Sequence, residues 1–165
     1  MKKEKMNDKG FSLVELIIVI AIMAVLVVVL APQYLKYVER SRNSTDMQNV
    51  TTLVTACQVY AADPDVASTA AFKTGKFFIT VLPNGASVEE GDNKAAVDAA
   101  LAAAAIKPAD VKCKSKSTWA SYKIVGDVQD GGNIVFSYES YTDDKATTGK
   151  NTKLSDKMAG TIAEE

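Results

Sequence analysis

The residue best placed to do chemistry in this sequence is Glu15, a carboxylate inside an otherwise apolar segment. The run from Phe11 to Ala31 has 21 residues and is interrupted only by Ser12 and Glu15. A carboxylate near the interior of a membrane costs about 2.5 to 3.5 kcal/mol on insertion scales unless something compensates its charge. The sequence therefore implies a functional reason for Glu15 at this position.

The other chemistry-bearing residues form no catalytic or metal-binding pattern. The chain has no histidine, which removes the commonest metal ligand and the commonest general base at neutral pH. Cys57 and Cys113 are 56 positions apart and show no zinc spacing. The net charge of -1 offers no basic surface for nucleic acid. We therefore predict a protein that is not an enzyme, with no cofactor, no metal and no small-molecule substrate.

The N-terminal segments are typical of a membrane anchor with a short basic leader. Residues 1–10 carry four lysines, one glutamate and one aspartate, a net charge of 4 − 2 = +2. As a helix, residues 11–31 span roughly 30 Å, the thickness of a bilayer core. The basic leader should stay in the cytoplasm, which places the C-terminus outside. The sequence thus predicts a single-pass membrane protein.

A conventional secretory signal or a plain anchor would share part of this pattern. Val29-Leu30-Ala31 has the small residues of a signal cleavage site, but Pro32 directly after such a site usually blocks the protease. The apolar run is also long for a signal. Neither alternative explains Glu15.

The segment Lys9-Gly10-Phe11-Ser12-Leu13-Val14-Glu15-Leu16 closely resembles the prepilin processing site of type IV pilins and type II secretion pseudopilins. The resemblance covers roughly residues 9–60. It implies a class III leader, residues 1–10, that a prepilin peptidase removes between Gly10 and Phe11 before it methylates the new amine of Phe11. In that family a glutamate is the fifth mature residue and a proline commonly the twenty-second, and here Glu15 and Pro32 hold those places.

The resemblance gives Glu15 a role in assembly. Cleavage creates a positive amine at Phe11, and a helix N-terminus adds about half a positive charge. In a bundle of such helices, the Glu15 carboxylate of one subunit can neutralise the Phe11 amine of its neighbour. A subunit in the wrong register would leave both charges unpaired, so the pair acts as a register device.

The helix should continue beyond the membrane segment. Residues 32–62 change to an amphipathic pattern after Pro32, which should kink the helix because proline lacks an N–H. Asp63-Pro64 ends the element, giving 52 residues from Phe11 to Ala62, about 78 Å. One face should pack on a head; it comprises Met47, Val50, Val54, Cys57 and Ala61.

Residues 63–165 should form a globular α/β head with a polar C-terminal tail. Phe77–Leu82 reads as a buried strand stopped by Pro83-Asn84-Gly85. Asp92 or Asn93 should cap an alanine-rich helix that runs to about Ile106. Alternating residues around Ile124 and Phe136 predict a hairpin, and the tail from Thr142 should be loosely packed. The predicted fold class is α+β: a long N-terminal helix packed against a small antiparallel β-sheet head.

Cys57 and Cys113 could form a disulfide, since a head outside the membrane lies where disulfides persist. A bridge would stabilise the head by about 4 kcal/mol in the loop-entropy model. The alternative is a buried, unpaired Cys57. The disulfide known in pilins usually encloses a C-terminal loop, and this spacing departs from it.

Three functions remain compatible with these patterns. The favoured one is a major type IV pilin that leaves the membrane and enters a helical homo-oligomeric filament, an extracellular pilus. The resemblance implies membrane lipid, the peptidase, and an inner-membrane assembly platform with its ATPase as partners. The alternatives are a pseudopilin of a type II secretion or competence system, and a minor adhesin or DNA-binding pilin.

Overall fold

The structure is a computed structural model that describes residues 11–63 and 70–160. The first element, helix α1, runs from Leu13 to Ala62 over 50 residues. It ends where the sequence predicts but begins two residues later, because the Ser12 hydroxyl accepts a 3.3 Å hydrogen bond from the Val14 N–H and caps the first turn. Helix α1 is assigned without interruption through Pro32, and the kink there stays a prediction.

The chain divides into two compact units between Val38 and Glu39. In the first unit, every described residue from Phe11 to Tyr37 is exposed. By length and composition, helix α1 is long and apolar enough to cross a membrane. No residue in its most apolar stretch is buried. Exposed apolar side chains along a whole helix segment require lipid or protein partners in the cell.

The second unit contains a four-stranded antiparallel sheet with strand order β2-β1-β3-β4. Its strands are β1 (Gly75–Leu82), β2 (Gly85–Val88), β3 (Ser121–Val128) and β4 (Ile134–Tyr141). The hairpin of β3 and β4 and the strand β1 confirm the expectation. Strand β2 was not predicted from the sequence. Pro83 and Asn84 form a tight turn, after which the chain pairs with β1 as β2.

Close packing on the core face of the sheet depends on a glycine in β3. Gly126 pairs with Phe77 of β1 on one side and with Phe136 of β4 on the other. A Cβ at position 126 would lie 2.2 Å from the Phe77 ring. The absence of a side chain here makes room for that ring in the core.

Among the described residues of the head are two short helices, α2 (Lys94–Ala103) and α3 (Lys153–Met158), and a 3₁₀ turn at Pro108–Asp110. Helix α2 is shorter at its C-terminus than predicted. Asn93 occupies the N-cap position but does not cap with its side chain. Its amide instead accepts from the Lys73 N–H at 2.7 Å and donates to the Lys73 carbonyl at 2.9 Å, which joins the segment before β1 to the start of α2.

The α+β fold class is confirmed, since the later half of α1 packs against the sheet. The buried stripe on α1 is rotated relative to the prediction. Val50 and Cys57 are buried as expected and Leu53 joins them, whereas Met47 and Val54 are only partly buried and Ala61 is exposed. These α1 side chains meet the core face of the sheet, which includes Ile79, Val81, Tyr122 and Ile124.

The C-terminal segment from Thr142 is packed against the sheet, so the expectation of a loose tail is wrong for its described part. Leu154 on α3 is fully buried in the core. Ser140 forms an isolated antiparallel bridge with Asn151, and its hydroxyl also accepts a 3.2 Å hydrogen bond from the Leu154 N–H. The buried side chains of Ala146 and Leu154, the partly buried Met158 and a few local hydrogen bonds therefore hold the segment in place.

Candidate functional site

The start of α1 forms a reciprocal hydrogen-bonded cap. The Ser12 N–H donates to the Glu15 carboxylate at 2.9 Å, and the Val14 N–H donates to the Ser12 hydroxyl at 3.3 Å. This is a capping box, which satisfies N–H groups that a helix start otherwise leaves free. The spacing Ser12-x-x-Glu15 is the sequence signal for it, and the sequence reading did not use it.

The cap places a negative charge next to the residue expected to become the mature N-terminus. Glu15 is held against the Ser12 N–H, and Phe11 directly precedes Ser12 with 92% of its surface exposed. A helix N-terminus and a carboxylate of the first turn attract each other. Gly10, the other half of the predicted cleavage site, lies outside the described residues.

Two carboxylates on α1, those of Glu39 and Asp46, hold the loop that precedes β3. The Glu39 carboxylate on α1 accepts hydrogen bonds from the Ser115 hydroxyl and from three consecutive backbone N–H groups, those of Lys116 at 2.8 Å, Ser117 at 2.9 Å and Thr118 at 3.2 Å. Burial raises the pKa of Glu39, but the bonds from Ser115 and from those N–H groups outweigh it and lower the pKa to about 2.

Asp46, two turns further along α1, holds the same loop from inside the core. Its side chain is fully buried, and its carboxylate accepts from the Lys114 N–H at 2.7 Å, the Ser115 N–H at 2.9 Å and the Trp119 indole N–H at 2.9 Å. The Cys113 thiol donates to it at 3.5 Å. A buried carboxylate requires several donors of this kind.

The buried stripe of α1 thus has a polar part as well as an apolar part. Glu39, Asn43 and Asp46 precede Val50, Leu53 and Cys57 at alternating steps of four and three residues. The Asn43 amide donates to the Thr118 hydroxyl at 2.9 Å. Sequence reasoning missed these three polar residues because it followed apolar side chains only.

The structure describes Cys57 and Cys113 as free thiols, both buried. Cys113 lies beside Asp46, and Asp46 precedes Cys57 by eleven residues, about 16 Å of helix. A disulfide needs Cα atoms within about 7 Å of each other. Formation of the bridge would therefore require the segment around Cys113 to move, so the structure fits the alternative of unpaired thiols that the sequence left open.

Comparison with known proteins gives three findings. Residues 5–31 match the family model described as the prokaryotic N-terminal methylation motif. The chain is 31% identical over 134 residues to the type IV major fimbrial protein FimA of Dichelobacter nodosus, a match that covers 81% of this chain and 73% of that relative. It is 34% identical over 59 residues to the type IV major pilin protein PilA of Myxococcus xanthus (strain DK1622), covering 36% and 27% of the two chains. No solved structure matches the chain.

Proposed function

The chain belongs to the type IV pilin family, and on that premise we propose that it is a major pilin, the bulk structural subunit of a type IV pilus. The observation that carries the proposal is the extent of the match to FimA. It covers 134 residues and so includes most of the head, not only the N-terminal motif. Both relatives named above are described as major subunits, which supports a major pilin over a pseudopilin or a minor pilin.

We further propose that a prepilin peptidase cuts between Gly10 and Phe11 and methylates the Phe11 amine. The leader carries +2, so its removal changes the net charge from -1 to -3. Before assembly, lipid covers the apolar residues 11–31, with the leader in the cytoplasm and the head outside the membrane. After assembly, neighbouring helices replace lipid around the same side chains, in an extracellular filament.

In this proposal Glu15 selects the register of each incoming subunit. The capping box holds the carboxylate at the first turn of α1, close in sequence to the amine that cleavage creates at Phe11. In the filament, the carboxylate of one subunit neutralises the amine of its neighbour, and a misplaced subunit would bury both charges unpaired. The energy for moving subunits out of lipid comes from an inner-membrane assembly platform and its ATPase.

The test is to isolate surface filaments from cells that express the chain with its assembly machinery and to analyse them by mass spectrometry. We expect this chain to be the dominant component, beginning at N-methylated Phe11. A chain that begins at Met1 or at Pro32 in mature material would refute the processing. A processed chain confined to short fibres beneath the outer surface would indicate a pseudopilin.

A further inference from the structure

The outer end of the apolar run is followed by residues whose chemistry differs from that of the run itself. Residues 34–38 read Tyr-Leu-Lys-Tyr-Val and directly follow Pro32 and Gln33 within α1. Tyr34 is 67% exposed and Tyr37 is 63% exposed. A tyrosine has a large apolar ring and a hydroxyl that needs a hydrogen-bond partner. Two exposed tyrosines at this place therefore indicate surroundings that are apolar on one side and polar on the other.

The three boundary residues, Tyr34, Lys36 and Tyr37, lie close together on the surface of α1. The two tyrosines are three positions apart, which places them side by side on one face of a helix. Lys36 adjoins Tyr37 and is exposed as well. Its long aliphatic chain can lie along apolar surface while its ammonium reaches a polar layer. Tyrosine and lysine at the end of an apolar helix are typical of the boundary between the hydrocarbon of a membrane and water.

The length of α1 places the boundary residues one bilayer thickness from the start of the helix. At about 1.5 Å per residue, Tyr34 lies about 32 Å and Tyr37 about 36 Å along the helix from Leu13, its first residue. The hydrocarbon core of a bilayer is about 30 Å thick, and the headgroups extend this to about 40–45 Å in total. When Leu13 lies at one boundary of the hydrocarbon core, both tyrosines therefore lie in the headgroup layer of the opposite face.

This placement also suits the charge at the start of α1. Glu15 is two residues, about 3 Å, beyond Leu13, and helix side chains point back toward the N-terminus. Its carboxylate is held there by the Ser12 N–H, next to the cytoplasmic headgroup layer. Between Leu16 and Ala31 the sequence has no charged residue. A helix at this depth thus places no charge deep in the hydrocarbon core.

We infer that Tyr34, Lys36 and Tyr37 bind the phosphate groups of phospholipids on the membrane face opposite the cytoplasm and thereby set the depth of the unassembled subunit. The inference rests on the proposed pilin function, in which lipid covers the apolar segment before assembly. The two hydroxyls and the ammonium donate hydrogen bonds to the phosphates, and the tyrosine rings lie beside the outermost part of the lipid chains. The contact fixes one end of the helix. It therefore holds the bond between Gly10 and Phe11 just outside the hydrocarbon core on the cytoplasmic face, where a peptidase can reach it.

Spin-label depth measurements on the full chain test the inference, in vesicles of phosphatidylethanolamine and phosphatidylglycerol. A nitroxide is attached to Leu13→Cys, Leu35→Cys or Ser41→Cys, one position at a time. Cys57 and Cys113 are buried, and burial raises the pKa of Cys57 to about 12 and also raises the pKa of Cys113, so neither should take the label. Accessibility of the nitroxide to oxygen and to a water-soluble nickel chelate gives its depth. We expect the labels at positions 13 and 35 at the headgroups of opposite faces and the label at position 41 in water.

Two triple variants show whether the boundary residues set this depth. Tyr34→Leu/Lys36→Leu/Tyr37→Leu lengthens the apolar stretch by about five residues, so the label at position 35 should move about 4 Å toward the hydrocarbon core. Tyr34→Trp/Lys36→Arg/Tyr37→Trp keeps an amphipathic ring or a cation at each position. In this matched control the label at position 35 should stay at the depth that it has in the chain with the native boundary residues.

The outcomes separate the inference from the proposed function. A label at position 35 that lies in water or deep in the hydrocarbon core, with the native boundary residues present, would overturn the inference. An unchanged depth in the leucine variant would overturn it too, as would an equal shift in both triple variants. None of these results affects the pilin function, because isolated filaments that begin at Phe11 test that function independently. If all three labels lay in water, the lipid-covered precursor of the proposed function would be refuted together with the inference.

Discussion

The indole N–H of Trp119 donates a 2.9 Å hydrogen bond to the carboxylate of Asp46, and both side chains are almost completely buried. Asp46 belongs to the long helix and Trp119 to the loop before β3, 73 positions further along the chain. The bond therefore joins helix α1 to the loop just before strand β3. The connection fixes residues 39–62 of α1 to the loop that precedes β3.

Replacing Asp46 with alanine should strongly destabilise the head. The substitution leaves the N–H groups of Lys114, Ser115 and Trp119 without their acceptor in a buried place. We expect a loss of about 3 kcal/mol in the free energy of unfolding, since a hydrogen bond to a charged group contributes about 1.5–3 kcal/mol. Trp119 is the sole tryptophan, so its fluorescence during urea unfolding of the detergent-solubilised chain reports the change directly.

Asp98→Ala is the matched control for that experiment. Asp98 forms an ion pair with Lys94 at 2.6 Å on the surface of α2, where its side chain is 45% exposed. Exposed pairs contribute about 0–1 kcal/mol, so this variant should unfold close to the unmodified chain. If both variants lost the same free energy of unfolding, the hydrogen bonds to Asp46 would contribute no more to stability than an exposed ion pair.

Glu39 should make the stability of the head depend on pH below about 4.5. Its pKa is about 2 in the folded chain against an ordinary value of 4.5, so the folded state binds a proton less readily than the unfolded state. The resulting stability is fully present above pH 4.5 and is lost as the pH falls through 2. Between pH 7 and pH 3, Glu39→Gln should lose about 1–2 kcal/mol less stability than the unmodified chain.

Urea unfolding at the two pH values measures this difference. Glu89 and Glu139 also have a lowered pKa, because hydrogen bonds from Lys123 and Lys150 outweigh the effect of burial. Those carboxyls are present in both proteins and cancel in the comparison. If the free energy of unfolding changed equally with pH in Glu39→Gln and in the unmodified chain, the loop would not bind the charged form of Glu39 preferentially.

The sequence predicts well those elements whose signal is local. The apolar run, the end of α1 at Ala62 and the hairpin of β3 and β4 all follow from composition, alternation and turn residues over short windows. Strand β2 has only four residues, too few to establish an alternation. Helix α3 has six residues and contributes only Leu154 and the partly buried Met158 to the core. Elements this short are defined by their neighbours in the fold.

The polar stripe on α1 could not be assigned from its own segment. Glu39, Asn43 and Asp46 resemble a solvated helix face until the loop at residues 113–119 is placed against them. The donors of that loop lie 67 to 79 positions away in sequence. The periodicity with Val50 and Leu53 was visible, but polar residues at core spacing are informative only when their partners are known.

The cysteines are expected to be free thiols, as the structure describes them. Alkylation of the folded chain cannot test this, because buried thiols and bridged cysteines both fail to react. The chain from purified filaments should instead be unfolded with an alkylating agent and no reductant. We expect both cysteines to be modified. If neither cysteine were alkylated before reduction and both were alkylated after it, the two would be joined by the disulfide considered in the sequence analysis. Cys113 would then lie closer to Cys57 than it does in this structure.

The last prediction is that Glu15→Gln reduces filament number sharply without preventing processing. The amide oxygen can still accept the hydrogen bond from the Ser12 N–H, so the helix cap should persist while the charge is lost. Each incoming Phe11 amine would then enter the apolar core without a partner. An unpaired buried charge costs about 3–5 kcal/mol, a factor of hundreds or more at each addition step. Surface filaments counted by electron microscopy, beside an immunoblot of processed subunit, measure the effect.

Ser12→Ala separates the charge of Glu15 from its role in the cap. This variant removes the hydroxyl that accepts from the Val14 N–H but keeps the carboxylate. Loss of an N-cap costs about 0.5–2 kcal/mol and leaves every charge paired in the filament, so filament number should fall far less than in Glu15→Gln. If Ser12→Ala abolished filaments while Glu15→Gln assembled normally, the geometry of the helix start rather than the charge pair would control assembly.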